Sequence, residues 1–163
     1  MVSSTPILSE IKAVYMNHLV LLIGFTLLFV CIAVQAIVTT SLILLLNRLY
    51  NSSKHNRGSV YKALVFEGAA IMLIFSFLLQ VSIWAVAYVW IGEFQNFSTA
   101  FYFSGVTYAT LGYGDIVLSQ QWRILGVFQS LNGLIMGGFA ASVFFSISSR
   151  IFRRERKMGK IES

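Results

Sequence analysis

Cysteine occurs once in these 163 residues, at Cys31, and proline once, at Pro6. A single cysteine excludes a disulfide within the chain and a thiolate metal site. The two histidines, His18 and His55, stand apart in sequence and form no metal-ligand spacing. Charge is scarce as well: Asp, Glu, Lys and Arg make up 11% of the chain, against 57% hydrophobic residues. Soluble domains carry about 25% charged residues, so an ordinary soluble fold is excluded. No histidine–carboxylate pair and no nucleophile beside a base is visible, and the chain does not read as an enzyme.

What is present is long apolar sequence. Leu19–Leu46, Gly68–Gly92 and Ile124–Ser149 contain no charged residue except at their borders. Each exceeds the roughly 20 residues that a helix needs to cross a hydrocarbon core. The expected fold class is therefore an all-α membrane protein with three transmembrane helices. The small-residue pattern Ala33-Val-Gln-Ala36 mimics a signal-peptide cleavage site, but the apolar run continues well past it, which favours a retained helix.

A net charge of +6 is compatible with a nucleic-acid partner, but its distribution points elsewhere. Arg48, Lys54, Arg57 and Lys62 lie between the first two spans, and Arg150, Arg153, Arg154, Arg156, Lys157 and Lys160 follow the third. Three spans put these two segments on the same side. By the positive-inside rule that side is the cytoplasm, with the N-terminus and the connection between spans two and three outside. No nucleic-acid partner is expected. Arg153, Arg154, Arg156 and Lys157 form a juxtamembrane cluster suited to anionic lipid headgroups.

Between spans two and three stands Thr107-Tyr-Ala-Thr-Leu-Gly-Tyr-Gly-Asp115. An ion crossing a bilayer sheds water, and rings of backbone carbonyls can replace that water. Successive carbonyls point one way only if the backbone alternates between ordinary and left-handed conformations, and glycine enters the left-handed region without penalty. Gly112 and Gly114 bracket Tyr113 in the order this requires. Thr110-Leu-Gly-Tyr-Gly-Asp115 resembles the selectivity filter of the potassium channel pore-domain family, whose signature reads Thr-Val-Gly-Tyr-Gly-Asp. Thr107 matches the family's second threonine, and Leu111 departs from the usual Val or Ile. The resemblance covers about residues 68–150 and reaches motif specificity only over 102–115; residues 1–62 have no support from it.

The resemblance implies K+ bound by Thr110, Leu111, Gly112 and Tyr113, with Gly114 completing the filter and no other cofactor. It implies a homotetramer, because one chain offers one filter strand. Phe97–Thr107 is too short to span and would form the re-entrant pore helix, with Asn96 or Ser98 as its cap. Tyr102 and Phe103 fall where related channels place aromatics behind the filter. Tyr102 either bonds Asp115 or simply fills space. Some bacterial members carry glutamate at the position of Val106, so a carboxyl pair with Asp115 is not available here. Measured from Arg123, Gly133 falls at the family's hinge glycine and either bends the inner helix or permits close packing. Leu134, Gly137 and Ala141 would line a cavity, with Phe144 and Phe145 narrowing its cytoplasmic mouth.

Two features lie outside the resemblance. Span one has no internal Arg or Lys and so no voltage sensor; Gln35, Thr39, Thr40 and Ser41 offer hydrogen bonds to a neighbouring helix, and the plainer reading is a lipid-facing helix. Glu67 sits one turn inside span two. It either snorkels toward Lys62 or Arg57 or senses protons in gating. Gln80 and Ser82 read as interhelical glue.

The resulting organisation is an N-terminal segment 1–17 and an additional transmembrane helix 18–50, followed by a cytoplasmic loop 51–62. The pore domain is 63–151, comprising outer helix 63–92, pore helix 97–109, filter 110–115 and inner helix 122–151; a basic tail 152–163 ends the chain. The expected function is passive, potassium-selective conduction across the plasma (inner) membrane. A weakly selective cation channel and a non-conducting membrane subunit that keeps the pore fold are the alternatives.

Overall fold

The computed structural model describes residues 5–51 and 59–159. Among them there are four helices: α1 Thr5–Asn51, α2 Ser59–Trp90, α3 Phe97–Tyr108 and α4 Arg123–Gly159. Three are long and apolar enough to cross a membrane, over Val14–Leu45, Leu64–Trp90 and Arg123–Ser149. The chain is an all-α membrane protein, as the apolar runs imply.

The helices extend further than the sequence suggests. α1 has 47 residues and so a length of about 70 Å, more than twice a hydrocarbon core. The expected break between an N-terminal segment and the first span does not occur. Pro6 is compatible with this because it lies in the first turn, where its missing N–H is not needed. α4 likewise passes through the expected basic tail to Gly159. Arg, Lys, Glu and Met are good helix formers, and no glycine interrupts them until Gly159. The side chains of Arg153, Arg154, Arg156 and Lys157 lie outside the described residues, as do Lys54, Arg57 and the side chain of Lys62.

The chain divides into two compact units. One comprises Met1–Ile32 with Gln80–Leu134, and the other Ala33–Leu79 with Ile135–Ser163. The second unit is a three-helix layer. Leu42, Ala69 and Ile147 form its core, flanked by Val65, Met72 and Val143. The Ser76 hydroxyl donates to Gln35 at 2.6 Å, so α1 is tied to α2 there by a buried bond as well as by packing. Gln35 in turn donates to Thr39 at 3.3 Å. Most large apolar side chains on α1 nevertheless stay exposed, including Leu22, Phe29, Ile37 and Leu44. Phe144 packs on Phe66 with ring centroids 5.1 Å apart. Phe145 stays exposed.

The first unit holds the filter motif. α1 enters it through Gly24, where an added Cβ would lie 2.6 Å from the Phe128 ring, and through Phe25, which meets Phe128 edge-on at 4.9 Å. α2 ends in this unit at a left-handed Gly92 with φ 77°. Glu93 N–H donates to Tyr88 O and Gly92 N–H to Val89 O, both at 3.0 Å, the paired bonds of a Schellman stop.

Candidate functional site: the loop after the third helix

α3 is held in place by buried polar side chains. The Ser104 hydroxyl donates to Val81 O at 2.7 Å and accepts from Gln129 Nε2 at 2.6 Å. Gln129 Nε2 also reaches Ser104 O at 3.1 Å, and Gln129 Oε1 accepts from the Tyr88 hydroxyl at 2.8 Å. Tyr108 donates to Gln80 at 2.7 Å. Ser104, Gln129, Tyr88, Tyr108 and Gln80 are all essentially inaccessible. α2 on one side and α4 on the other thus clamp α3 through groups whose loss would leave unpaired polar atoms. Each such atom costs about 1–3 kcal/mol. Asn96 occupies the N-cap position with extended backbone, yet makes no side-chain capping bond. The position of α3 therefore rests on the clamp and not on a cap.

Where α3 ends, the loop begins in a particular way. Leu111 N–H donates to Val106 O and Thr110 N–H to Thr107 O, both at 3.0 Å. This is again a Schellman stop, and the residue in the left-handed position is Thr110, with φ 58°. It is the only non-glycine with positive φ among the described residues. A β-branched residue there is a strained conformation worth about 1–3 kcal/mol. Gly112 follows at φ 57° and Gly114 at φ 77°, while Leu111 and Tyr113 between them keep negative φ. Left-handed and ordinary backbone therefore alternate over five residues. The sequence pointed to the two glycines; the threonine at the head of the series was not foreseen.

Residues 109–115 are all exposed in the single chain, Leu111 by 56% and Tyr113 by 66%. Two contacts fasten the loop's far side. The Tyr102 hydroxyl donates to Asp115 Oδ2 at 2.7 Å, so of the two readings of Tyr102 the bonded one describes the geometry. That bond to the carboxylate raises the Tyr102 phenol above its ordinary pKa, with weaker contributions from desolvation and from the neighbouring charges. Glu93 accepts from both the N–H and the hydroxyl of Ser119, which anchors the descent into α4 next to the stop that ends α2. Phe103 is buried and stacks edge-on with Tyr88 at 5.3 Å and tilted against Phe94 at 5.4 Å. It also lines, with Val106, Thr107 and Arg123, a hollow of about 230 Å³ behind the loop.

Gly133 marks a close approach between helices. A Cβ there would lie 1.8 Å from the carbonyl oxygen of Tyr108, so α4 runs directly against the end of α3. Nearby, the Ser130 hydroxyl reaches Thr107 O at 3.3 Å. Leu134, Gly137 and Ala141 are exposed in the single chain. Glu67 is exposed near the start of the second span, and among the described residues it has no ion-pair partner. Sequence reasoning named Gln80 but missed Gln129, Asn132, Ser104 and Tyr88. The available signal was the rarity of amide side chains inside apolar runs.

Three membrane-length helices, with a short fourth helix and a glycine-alternating loop between the last two, define a membrane protein of pore-loop type. Residues 69–150, half of the chain, match the family described as ion channel. The chain belongs to that family, the potassium channel pore-domain type that its loop motif resembles. Comparison with curated proteins and with solved structures gave no match.

Proposed function

We propose that four copies of this chain assemble a potassium-selective channel of the plasma membrane. In this reading the carbonyls of Thr110, Leu111, Gly112 and Tyr113, with the Thr110 hydroxyl, replace the hydration shell of K+ in single file. The observation that carries the reading is the alternation of left-handed backbone at Thr110, Gly112 and Gly114. That alternation turns peptide carbonyls of a short loop toward one side, and the loop is exposed in one chain, as it must be if three other copies complete the ring. The C-terminal end of α3, with its partial negative charge, would favour a cation on the axis. Leu134, Gly137 and Ala141 would face the route to the cytoplasm, with Gly133 against the end of α3. Arg153, Arg154, Arg156 and Lys157 would sit at the inner leaflet, with the N-terminus outside.

The test is ion flux through purified protein in liposomes, potassium against sodium, with Gly112→Ser as control. Potassium-selective flux that disappears in the control supports the reading. Comparable sodium flux would replace it with a weakly selective cation channel. A stably folded tetramer without flux at any pH or anionic-lipid content would replace it with a non-conducting scaffold.

A further inference from the structure

Between the buried clamp at Gln129 and the close approach at Gly133, α4 makes one further contact with α3, and it differs in kind from both. The Ser130 hydroxyl donates to Thr107 O at 3.3 Å and is only part-buried. The same carbonyl accepts the Thr110 N–H at 3.0 Å, one of the two bonds that stop α3. Thr107 O thus carries two donors, as the two lone pairs of a carbonyl allow. One belongs to the left-handed residue at the head of the loop and the other to α4.

The neighbouring contacts hold the fold. Gln129 is fully buried, and its partners would be stranded without it. Gly133 meets Tyr108 O with no room for a side chain. The Ser130 bond strands nothing when it opens. Thr107 O keeps the Thr110 N–H, and a serine hydroxyl in a helix has a second acceptor in the carbonyl four residues back, here that of Gly126. A long bond that opens at little cost adjusts the loop and leaves the fold intact.

We infer that Ser130 is a positioning residue for the filter, acting through the Thr107 carbonyl on the backbone of Thr110. Its effect on ions rests on the channel reading; its effect on Thr110 does not. With the hydroxyl in place, the Thr107 carbonyl is fixed from two directions and meets the Thr110 N–H at a set angle. Thr110 is then held at φ 58° against its own preference. With the hydroxyl gone, only the Thr110 bond orients that peptide, and the strained residue relaxes. The carbonyl and hydroxyl of Thr110 are the first ion ligands of the proposed filter. Their relaxation loosens the cage that distinguishes K+ from Na+.

The test compares Ser130→Ala, which removes the hydroxyl, with Ser130→Thr, which keeps it, in the whole chain in bilayers. Two quantities are read: the K+/Na+ permeability ratio from reversal potentials, and the 13C shifts of Thr110 by solid-state NMR, which report its backbone conformation. Ser130→Ala should keep the wild-type unfolding temperature, because no buried group loses its only partner. Its permeability ratio should fall roughly 3- to 10-fold, the size of one neutral hydrogen bond, and its Thr110 shifts should leave the left-handed position. Ser130→Thr should restore both. Unchanged Thr110 shifts in Ser130→Ala would overturn the positioning role, as would a threonine variant displaced as far as the alanine. Shifts that move while the ratio stays at its wild-type value would overturn the consequence for selectivity. Shifts that respond in a protein without K+ preference would leave Ser130 in its role and overturn the channel reading instead.

Discussion

Two helices in this chain end in the same hydrogen-bonded stop, one at Gly92 and one at Thr110. At Gly92 the left-handed position is filled by the residue that bears it freely, and the stop only turns the chain toward α3. At Thr110 a β-branched residue is held in the same region at a cost of about 1–2 kcal/mol. The comparison shows where the molecule tolerates strain. It does so where buried contacts on both sides over-determine the backbone. Strain of this kind persists only under such constraint. Gln129, Ser104 and Tyr88 supply it, together with the close approach of Gly133.

The largest expected effect comes from removing the constraint. Gly133→Ala puts a methyl group 1.8 Å from the Tyr108 carbonyl, which no rotamer can relieve. It should destabilise the protein by about 3 kcal/mol or more, seen as loss of the folded, assembled species in detergent. An alanine variant of wild-type stability would show that α4 does not press on the end of α3. Gln129→Leu should cost about 2–3 kcal/mol in thermal or denaturant unfolding, because Tyr88 and Ser104 lose their shared partner while buried.

Exchanging the two stops sharpens the comparison directly. Thr110→Gly should raise unfolding stability by about 1–2 kcal/mol while impairing potassium selectivity. Gly92→Ala should lower stability by about 1 kcal/mol and leave conduction unchanged. If Thr110→Gly brings no gain in stability, the threonine is not strained and the contrast fails. The smallest effect belongs to the exposed tether on the far side of the loop. Tyr102→Phe removes the bond to Asp115 and should speed the decay of current under sustained opening. The phenol must be protonated to donate, and its pKa is raised in the folded protein. The tether is therefore complete below the ordinary tyrosine value of about 10 and is lost as pH rises through the raised one. Wild-type decay should accelerate only in that alkaline window, and the Phe variant should show no such change.

How much of this was legible in the sequence depended on the range of the interaction. The loop motif and the two glycines are local, and local stereochemistry named them. The three spans followed from apolar length, because a bilayer demands it. The strain at Thr110 was hidden, since threonine has no evident reason to be left-handed until α3 is seen to stop there. The clamp was hidden for a different reason. Gln129 and Asn132 lie three residues apart in an apolar run, and only packing shows that both are fully buried and that Gln129 bonds across to α3. The length of α1 was underestimated because the mixed residues before Asn17 carry no strong helical pattern. The close approach at Gly133 was hidden because its neighbour, the Tyr108 carbonyl, lies 25 residues earlier in the chain.

In the proposed channel, alternating left-handed backbone is what makes this loop a filter. This is tested most directly at Gly112, where φ is 57° and no atom beyond its two chain neighbours lies within 4 Å of an added Cβ. L-alanine opposes that conformation and D-alanine favours it. Potassium flux in liposomes should be lost in the L-alanine protein and retained in the D-alanine protein made by semisynthesis. Equal flux through both would contradict the account, because the sign of φ at Gly112 would then have no bearing on conduction.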